Sequence, residues 1–287
     1  MKLNADFLTS IPELTYRFVD GTPASRGMFF HALMDIASQD LPLAHSIFKT
    51  SAVRTVLDLV CERMSDDSIG AFSVYKPFDT VRLESGKLYG KKHWVTNATI
   101  ADIAIVQVMT PAGIVLCKTT IPEQRTQFLN SPGMVDTETY DLIYDGETVT
   151  ELFLKSDSKY SEVSRHNTLA FIANHIGAID GLMEYMSCDT ADLLAEYKNL
   201  RVLFREYSML GTVVIDDAFW HKHNALYLQS KHLLVRTLQR IMEFEAGPFY
   251  NVSSAQGKHF FDSLAYSGHN GPIQRNYQQV FTESQDY

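Results

Sequence analysis

Cysteine is scarce in this chain: Cys61, Cys117 and Cys188 are the only three in 287 residues, far apart and never in a C-x-x-C pair. That spacing excludes a disulfide framework and a thiolate zinc site, and each thiol is expected to act as a small buried hydrophobe. No apolar run approaches the ~20 residues that span a bilayer. The opening Met1-Lys2-Leu3-Asn4-Ala5-Asp6 lacks the charged-then-apolar pattern of a secretion signal. The expectation is a cytoplasmic protein with no membrane span. Basic charge is also in short supply, with 25 Lys and Arg against 34 Asp and Glu, a formal net charge of −9 and no cationic stripe. Nucleic-acid phosphates need clustered cations, so no nucleic-acid partner is expected. Repeats, linkers and low-complexity tracts are missing. A hydrophobic content of 45% is ordinary for a buried core, and the length suits one large or two to three small domains.

Thr22-Pro23 supplies an N-cap and a proline at the first helical position, and Phe30, Leu33, Met34 and Ala37 follow at helical spacing. A helix is predicted over about 23–39. Asp40-Leu41-Pro42 interrupts it, and Val53, Val56, Leu57, Val60 and Met64 then form a second apolar stripe. From Gly70 to about Lys155 the texture changes to short β-branched and aromatic runs. These are 72–75, 81–83, 88–96, 103–109, 114–120, 140–144 and 148–154. Ser85-Gly86, Pro111-Ala112-Gly113 and Asp145-Gly146 punctuate them as hairpin turns of an antiparallel sheet or barrel.

After Ser161 the helical period returns through Leu169, Ile172, Ala173, Ile176, Ile179, Met183 and Met186. Ala173, Gly177 and Gly181, spaced by four, let a neighbouring helix approach closely. Asp189 is placed to cap a second long helix running through Val214 and Ala218. A third carries Leu234, Leu238 and Ile241 before Gly247-Pro248 stops it, and Ser253-Ser254 reads as a loop and helix start. The order is helical, β, then helical bundle, divided as 1–68, 69–158 and 159–287.

Several catalytic constellations are not in the chain. It has no nucleophile elbow, no phosphate-cradling glycine motif and no Glu-x-x-His pair for a di-iron bundle. His221-Lys222-His223 puts two imidazoles on different faces of a helix, a poor metal chelate, so no metal site is expected.

The most informative stretch is Gly90-Lys91-Lys92-His93-Trp94-Val95-Thr96-Asn97-Ala98-Thr99-Ile100-Ala101-Asp102, leading into the strand Ile103-Ala104-Ile105-Val106. Read alone, Trp94 is a core aromatic and Lys91-Lys92-His93 a solvated hairpin rim. The run resembles the middle β domain of the acyl-CoA dehydrogenase superfamily. The order of regions is similar too: N-terminal helices, an antiparallel β barrel and a C-terminal helical bundle, an α+β multidomain fold. The resemblance implies FAD as cofactor, with Trp94 beside the isoalloxazine ring and Thr96 hydrogen-bonded to it. Gly70-Ala71-Phe72-Ser73-Val74-Tyr75-Lys76-Pro77 resembles a second flavin-contacting strand, which adds Phe72, Val74 and Tyr75 to the cofactor-binding candidates. In that strand Tyr75 and Lys76 stand where the family has Thr and Glu.

Three departures accompany the likeness. Only 16 residues separate Pro77 from Trp94, too few for the family's glycine-rich flavin loop. Met186-Ser187-Cys188-Asp189-Thr190 lacks the Arg and Phe that reach the FAD pyrophosphate. Gly271-Pro272-Ile273-Gln274-Arg275 is similar to a segment of the flavin monooxygenase branch, but Gln278-Gln279 replaces its Arg-Asp. Removing a proton α to a thioester needs a carboxylate near that carbon. One family position for that base holds Asn167, and the C-terminal one falls near Tyr287, which leaves Asp286 as the candidate catalytic carboxylate. Two readings stay open. One is an FAD-dependent oxidoreductase acting on an acyl thioester or related substrate. The other is a non-catalytic homologue that has lost its flavin and serves as a binding or structural subunit. Either is expected to form homo-oligomers, or a hetero-oligomer with a complete homologue.

Overall fold

The computed structural model describes residues 3–15, 22–127, 133–210, 217–245 and 247–268. The chain forms two compact units, Met1–Gly21, His45–Asn130 and Val135–His166 in one, and Thr22–Ala44, Ser131–Met134 and Asn167–Tyr287 in the other.

Among the described residues the first unit contains helix α1 (Ala5–Ser10), most of α3 (Leu41–Leu59) and eight strands. The strands are β1 (Gly70–Ser73), β2 (Arg82–Glu84), β3 (Lys87–Val95), β4 (Ile103–Thr110), β5 (Gly113–Thr119), β6 (Arg125–Gln127), β7 (Tyr140–Thr148) and β8 (Thr150–Leu154). They make two four-stranded sheets, β1-β4-β5-β8 and β2-β3-β7-β6. Val106, Val108 and Val115 from one sheet and Leu88, Val95 and Leu142 from the other share a single apolar core. All pairings are antiparallel except β1 with β4, which is parallel.

Two sequence expectations change in this unit. Asp145-Gly146 is not a turn: both residues lie inside β7, where the register with β3 shifts between Leu88 and Tyr89 and leaves Gly146 unpaired beside the Tyr89 ring. Lys92 is no solvated rim residue, for its side chain is wholly buried.

Asn97 fixes the helix to the sheet. It is fully buried at φ 64°, a left-handed conformation that asparagine tolerates better than most residues. Its amide donates to Ser46 O on α3 and Gly70 O on β1, both at 2.9 Å. Asp102 closes the same corner, accepting from Ile69 N–H at 2.9 Å while its own N–H returns to Ile69 O.

The second unit gathers α2 (Pro23–Gln39) with most of α4 (Lys159–Met183), α5 (Ala191–Ser208), α6 (Asp217–Phe244) and α7 (Ala255–Ser267). The Thr22 hydroxyl caps α2 by accepting from Ser25 N–H at 3.1 Å, and Ser254 caps α7 through Gly257 N–H at 2.9 Å. Gly177 and Gly181 meet the α2 backbone directly: a Cβ on Gly177 would lie 2.3 Å from Met34 O, and one on Gly181 2.2 Å from Ser38 O. This is the close helix approach read from the spacing. His259 of α7 seats against the same stretch, its Nε2–H donating to Ala178 O at 3.1 Å. Burial lowers the pKa of its imidazole.

Helix α5 stops at Ser208 and does not reach Ala218, which belongs to α6, while Val214 lies outside the described residues. Asp189 caps only locally, accepting from Ala191 N–H at 3.0 Å. The connection from α4 to α5 is tied down by Glu245, which accepts from Ser187 N–H at 2.6 Å and Cys188 N–H at 2.7 Å. Of the cysteines only Cys117 is buried, its thiol pushed up to about 12 by desolvation. Cys61 is exposed and Cys188 half-buried, against the expectation of three buried thiols.

Candidate functional site: the Trp94 bulge

Beyond the Gly146 bulge, strand β3 pairs in register with β7 from Tyr89 to Lys92, then slips a second time before Val95. His93 and Trp94 occupy that bulge, and Trp94 takes φ 55°. A bulky residue in the left-handed region costs of order 1–3 kcal/mol and persists only where its surroundings over-determine it. Here the determinant is Asp141 on β7. Its carboxylate accepts from Trp94 N–H at 3.0 Å, faces His93 Nδ1 at 3.1 Å and pairs with Lys91 Nζ at 2.9 Å. Burial raises the Asp141 pKa, but Lys91, the Trp94 N–H and His93 outweigh it and hold the carboxyl below the ordinary aspartate value.

The bulge turns the indole outward. Trp94 is 43% exposed, not the core aromatic expected of it when read alone. Phe78, 48% exposed, meets it edge-on with ring centroids 5.0 Å apart. Lys76 Nζ stands 5.5 Å from the indole centroid and donates to His93 O at 2.5 Å. Burial, and then the charge of Lys92, push Lys76 down to about 8, against the opposing pull of Asp79 and Asp141. Lys49 on α3 is depressed to about 7 by burial and by Lys76.

Lys92 underlies this corner. Its ammonium donates to Asp79 Oδ2 at 2.5 Å, Val74 O at 2.8 Å and Gln107 O at 3.0 Å, which uses all three hydrogens. Asp79 also accepts from Lys76 N–H and His93 N–H, at 2.8 and 3.0 Å. One buried ion pair thus positions both residues that flank Trp94.

The other residues read from the sequence are placed as follows. Thr96 is 5% exposed, and its hydroxyl lies 3.2 Å from Thr139 Oγ1 and 3.5 Å from His45 Nε2. Phe72 is a core residue of β1, 2% exposed. Val74 is 39% exposed just beyond that strand, its carbonyl held by Lys92. Tyr75 N–H donates to Gln107 Oε1 at 3.1 Å, and its ring lies 5.9 Å from Lys92 Nζ. Asn167 lies on α4 in the second unit, its Oδ1 buried with no hydrogen-bond partner among the described residues. Asp286 and the segment Gly271–Arg275 lie outside the described residues. Phe78, Asp79 and Asp141 carry the site and were missed, because nothing in their local sequence shows that each reaches Trp94 or its neighbours from another strand or loop. Among the described residues no group of three His, Cys, Asp or Glu side chains is disposed to hold a metal.

Lys49 and Lys76 make stability rise with pH. A lysine whose folded pKa lies below its unfolded value of 10.5 binds fewer protons folded than unfolded. Its contribution is complete above 10.5 and is lost as pH falls through about 8 for Lys76 and about 7 for Lys49. Comparing urea midpoints near neutrality and at mildly alkaline pH, Lys76→Met is expected to lose part of the alkaline gain shown by the wild type. An unchanged slope would show that Lys76 is not desolvated.

No family model matches the chain, and no curated protein matches it in sequence. Solved structures do match. Butyryl-CoA dehydrogenase from Megasphaera elsdenii superposes with TM-score 0.74 at 14% identity, covering 96% of this chain and 87% of that one. The HsaA monooxygenase from M. tuberculosis gives 0.77 at 12%, covering 99% and 92%. An acyl-CoA dehydrogenase from Geobacillus kaustophilus gives 0.70 at 13%, covering 100% and 91%. Among the described residues no helix is long and apolar enough to cross a membrane. The helices, the two β sheets and these superpositions together give the chain the acyl-CoA dehydrogenase fold, one that dehydrogenases and monooxygenases share.

Proposed function

We propose that the protein is a flavin-binding oxidoreductase acting on an acyl thioester or a related carbonyl substrate, with the flavin seated against the Trp94 bulge. The observation that carries this reading is an exposed indole held out of its strand by a carboxylate and flanked by the Lys76 ammonium. A flat, electron-rich indole fits the electron-poor isoalloxazine ring and the neighbouring cation suits the negative charge that ring gains on reduction, and Val74 and Tyr75 border the same corner with Phe72 behind them. When bound, FAD would supply the hydride acceptor. Trp94 would orient the ring, Lys76 would complement negative charge on it, and the Thr96 hydroxyl would donate to it after giving up Thr139. Asp286 is the carboxylate this reading assigns to take the substrate α proton. A cytoplasmic homo-oligomer is the expected form.

Two observations favour a second reading, a non-catalytic binding or structural subunit that assembles with a complete homologue. The Thr96 hydroxyl is already engaged by Thr139 and His45, and the α4 base position holds an amide, Asn167. The absorption spectrum separates the two. Protein purified alone, or incubated with FAD and gel-filtered, is expected to retain flavin bands that the Trp94→Ala, Thr96→Ala double variant loses. A colourless wild-type protein that takes up no FAD under these conditions would sink the enzyme reading and leave the subunit.

A further inference from the structure

In the second unit a cleft of about 460 Å³ opens between α2 and α5, within the size range of small-molecule sites. Its walls are apolar and adaptable. Met28 and Met209 are 49% and 38% exposed, Met34 is buried behind them, and unbranched thioether chains repack readily around a flexible guest. Phe204 contributes no free ring face, since His31 stacks on it with centroids 6.5 Å apart and Phe30 meets it edge-on. Phe204 therefore offers a flat aromatic guest no ring face to stack on.

The rim is cationic. Arg201 and Arg205 project from the same face of α5, four residues apart, where like charges repel. Arg201 is steadied by Tyr197, whose hydroxyl it contacts at 3.1 Å and which itself donates to Asp180 at 2.6 Å. Arg205 makes no side-chain hydrogen bond or ion pair among the described residues. His31 places a buried Nε2 at the cleft with no hydrogen-bond partner among the described residues. The charges around His31 are Arg201, Arg205 and one carboxylate, Asp35 on its own helix, which leaves a net positive mouth.

We propose that this cleft binds an unbranched aliphatic carboxylate, its head group held by Arg201 and Arg205 and its chain laid along Met28, Met34 and Met209. The site is separate from the Trp94 bulge and stands whether or not that bulge takes flavin.

The test uses the full chain with ¹³C-labelled methionine methyl groups, titrated with decanoate below its micelle-forming concentration and with 1-decanol as the uncharged control. Saturable shifts are expected at Met28, Met34 and Met209 and not at Met109, an exposed methionine of the other unit. Arg205→Gln, a surface change that keeps the thermal midpoint, is expected to weaken decanoate at least tenfold and leave decanol unaffected. Unsaturable shifts shared with Met109, equal affinity for decanol and decanoate, or less than a threefold effect of Arg205→Gln would each overturn the proposal. So would cleft methionine signals that move with protein concentration alone, in step with self-association by sedimentation velocity, since the cleft would then be an interface between copies.

Discussion

Gly181→Ala is expected to destabilise the protein by about 3 kcal/mol, the upper end of what overpacking usually costs, and Gly177→Ala by a similar amount. The added methyl has nowhere to go: at position 181 it lies 2.2 Å from Ser38 O and 2.6 Å from His259 Nε2, and at 177 it lies 2.3 Å from Met34 O and 2.6 Å from Ala37 Cβ. The obstacles at 177 and the nearest one at 181 are groups fixed in helix α2, not tips of flexible side chains that could swing aside. With total stabilities of about 5–15 kcal/mol, the double variant should be largely unfolded. Gly268→Ala is the control, its nearest contact an ordinary 3.4 Å. Urea midpoints of the three single variants decide the matter, and a Gly181→Ala midpoint equal to that of the control would mean that α2 and α4 are not in backbone contact.

The second large effect belongs to Lys92. Lys92→Met strands the Asp79 carboxylate, whose side chain is 0% exposed, beside an apolar neighbour. Breaking a fully buried pair from one side costs about 3–5 kcal/mol. Replacing both members together, Lys92→Met with Asp79→Leu, should recover part of that loss, because neither charge is then left buried alone. The recovery should be incomplete. Asp79 also accepts from the backbone N–H groups of Lys76 and His93, and leucine cannot. Fluorescence of the two tryptophans, Trp94 and Trp220, offers a local readout: the double variant is expected to shift its emission as the Trp94 bulge relaxes. A single Lys92→Met variant as stable as the wild type would contradict the buried ion pair.

These two cases also show which parts of the molecule could be read from the sequence. The Gly177 and Gly181 spacing was legible because a helix repeats every 3.6 residues and small residues four apart share a face. The Thr22-Pro23 helix start was legible because capping is a local interaction. Asp145-Gly146 misled because that pair usually makes a hairpin turn, and only the partner strand reveals a bulge instead. The apolar period extended to Ala218 misled in the same way, since periodicity alone does not say where a helix ends.

The Gly90 to Asp102 run combined two kinds of information that one sequence cannot separate. Much of it serves the fold. Gly90 sits at φ 101° with a Cβ position only 2.4 Å from Thr80 O, Lys92 pairs with Asp79, Asn97 fastens α3 to β1, and Asp102 closes on Ile69. Their presence follows from the architecture whether or not a flavin binds. Trp94, exposed and held in a strained backbone, is the residue of the run that packing does not explain.

The division of the chain bears on how it is made. Thr22–Ala44 is synthesised more than a hundred residues ahead of Asn167, yet it belongs to the unit completed by residues from Asn167 onward. Helix α2 must therefore wait, its apolar face uncovered, until α4 and the helices after it have left the ribosome. At roughly 5–20 residues per second that interval lasts on the order of ten seconds or more, long enough for a chaperone to intervene. Contacts so distant in sequence also slow folding. A fragment ending before α4 should accordingly be a poor substitute for the whole, accumulating as aggregate where the full-length chain stays in solution.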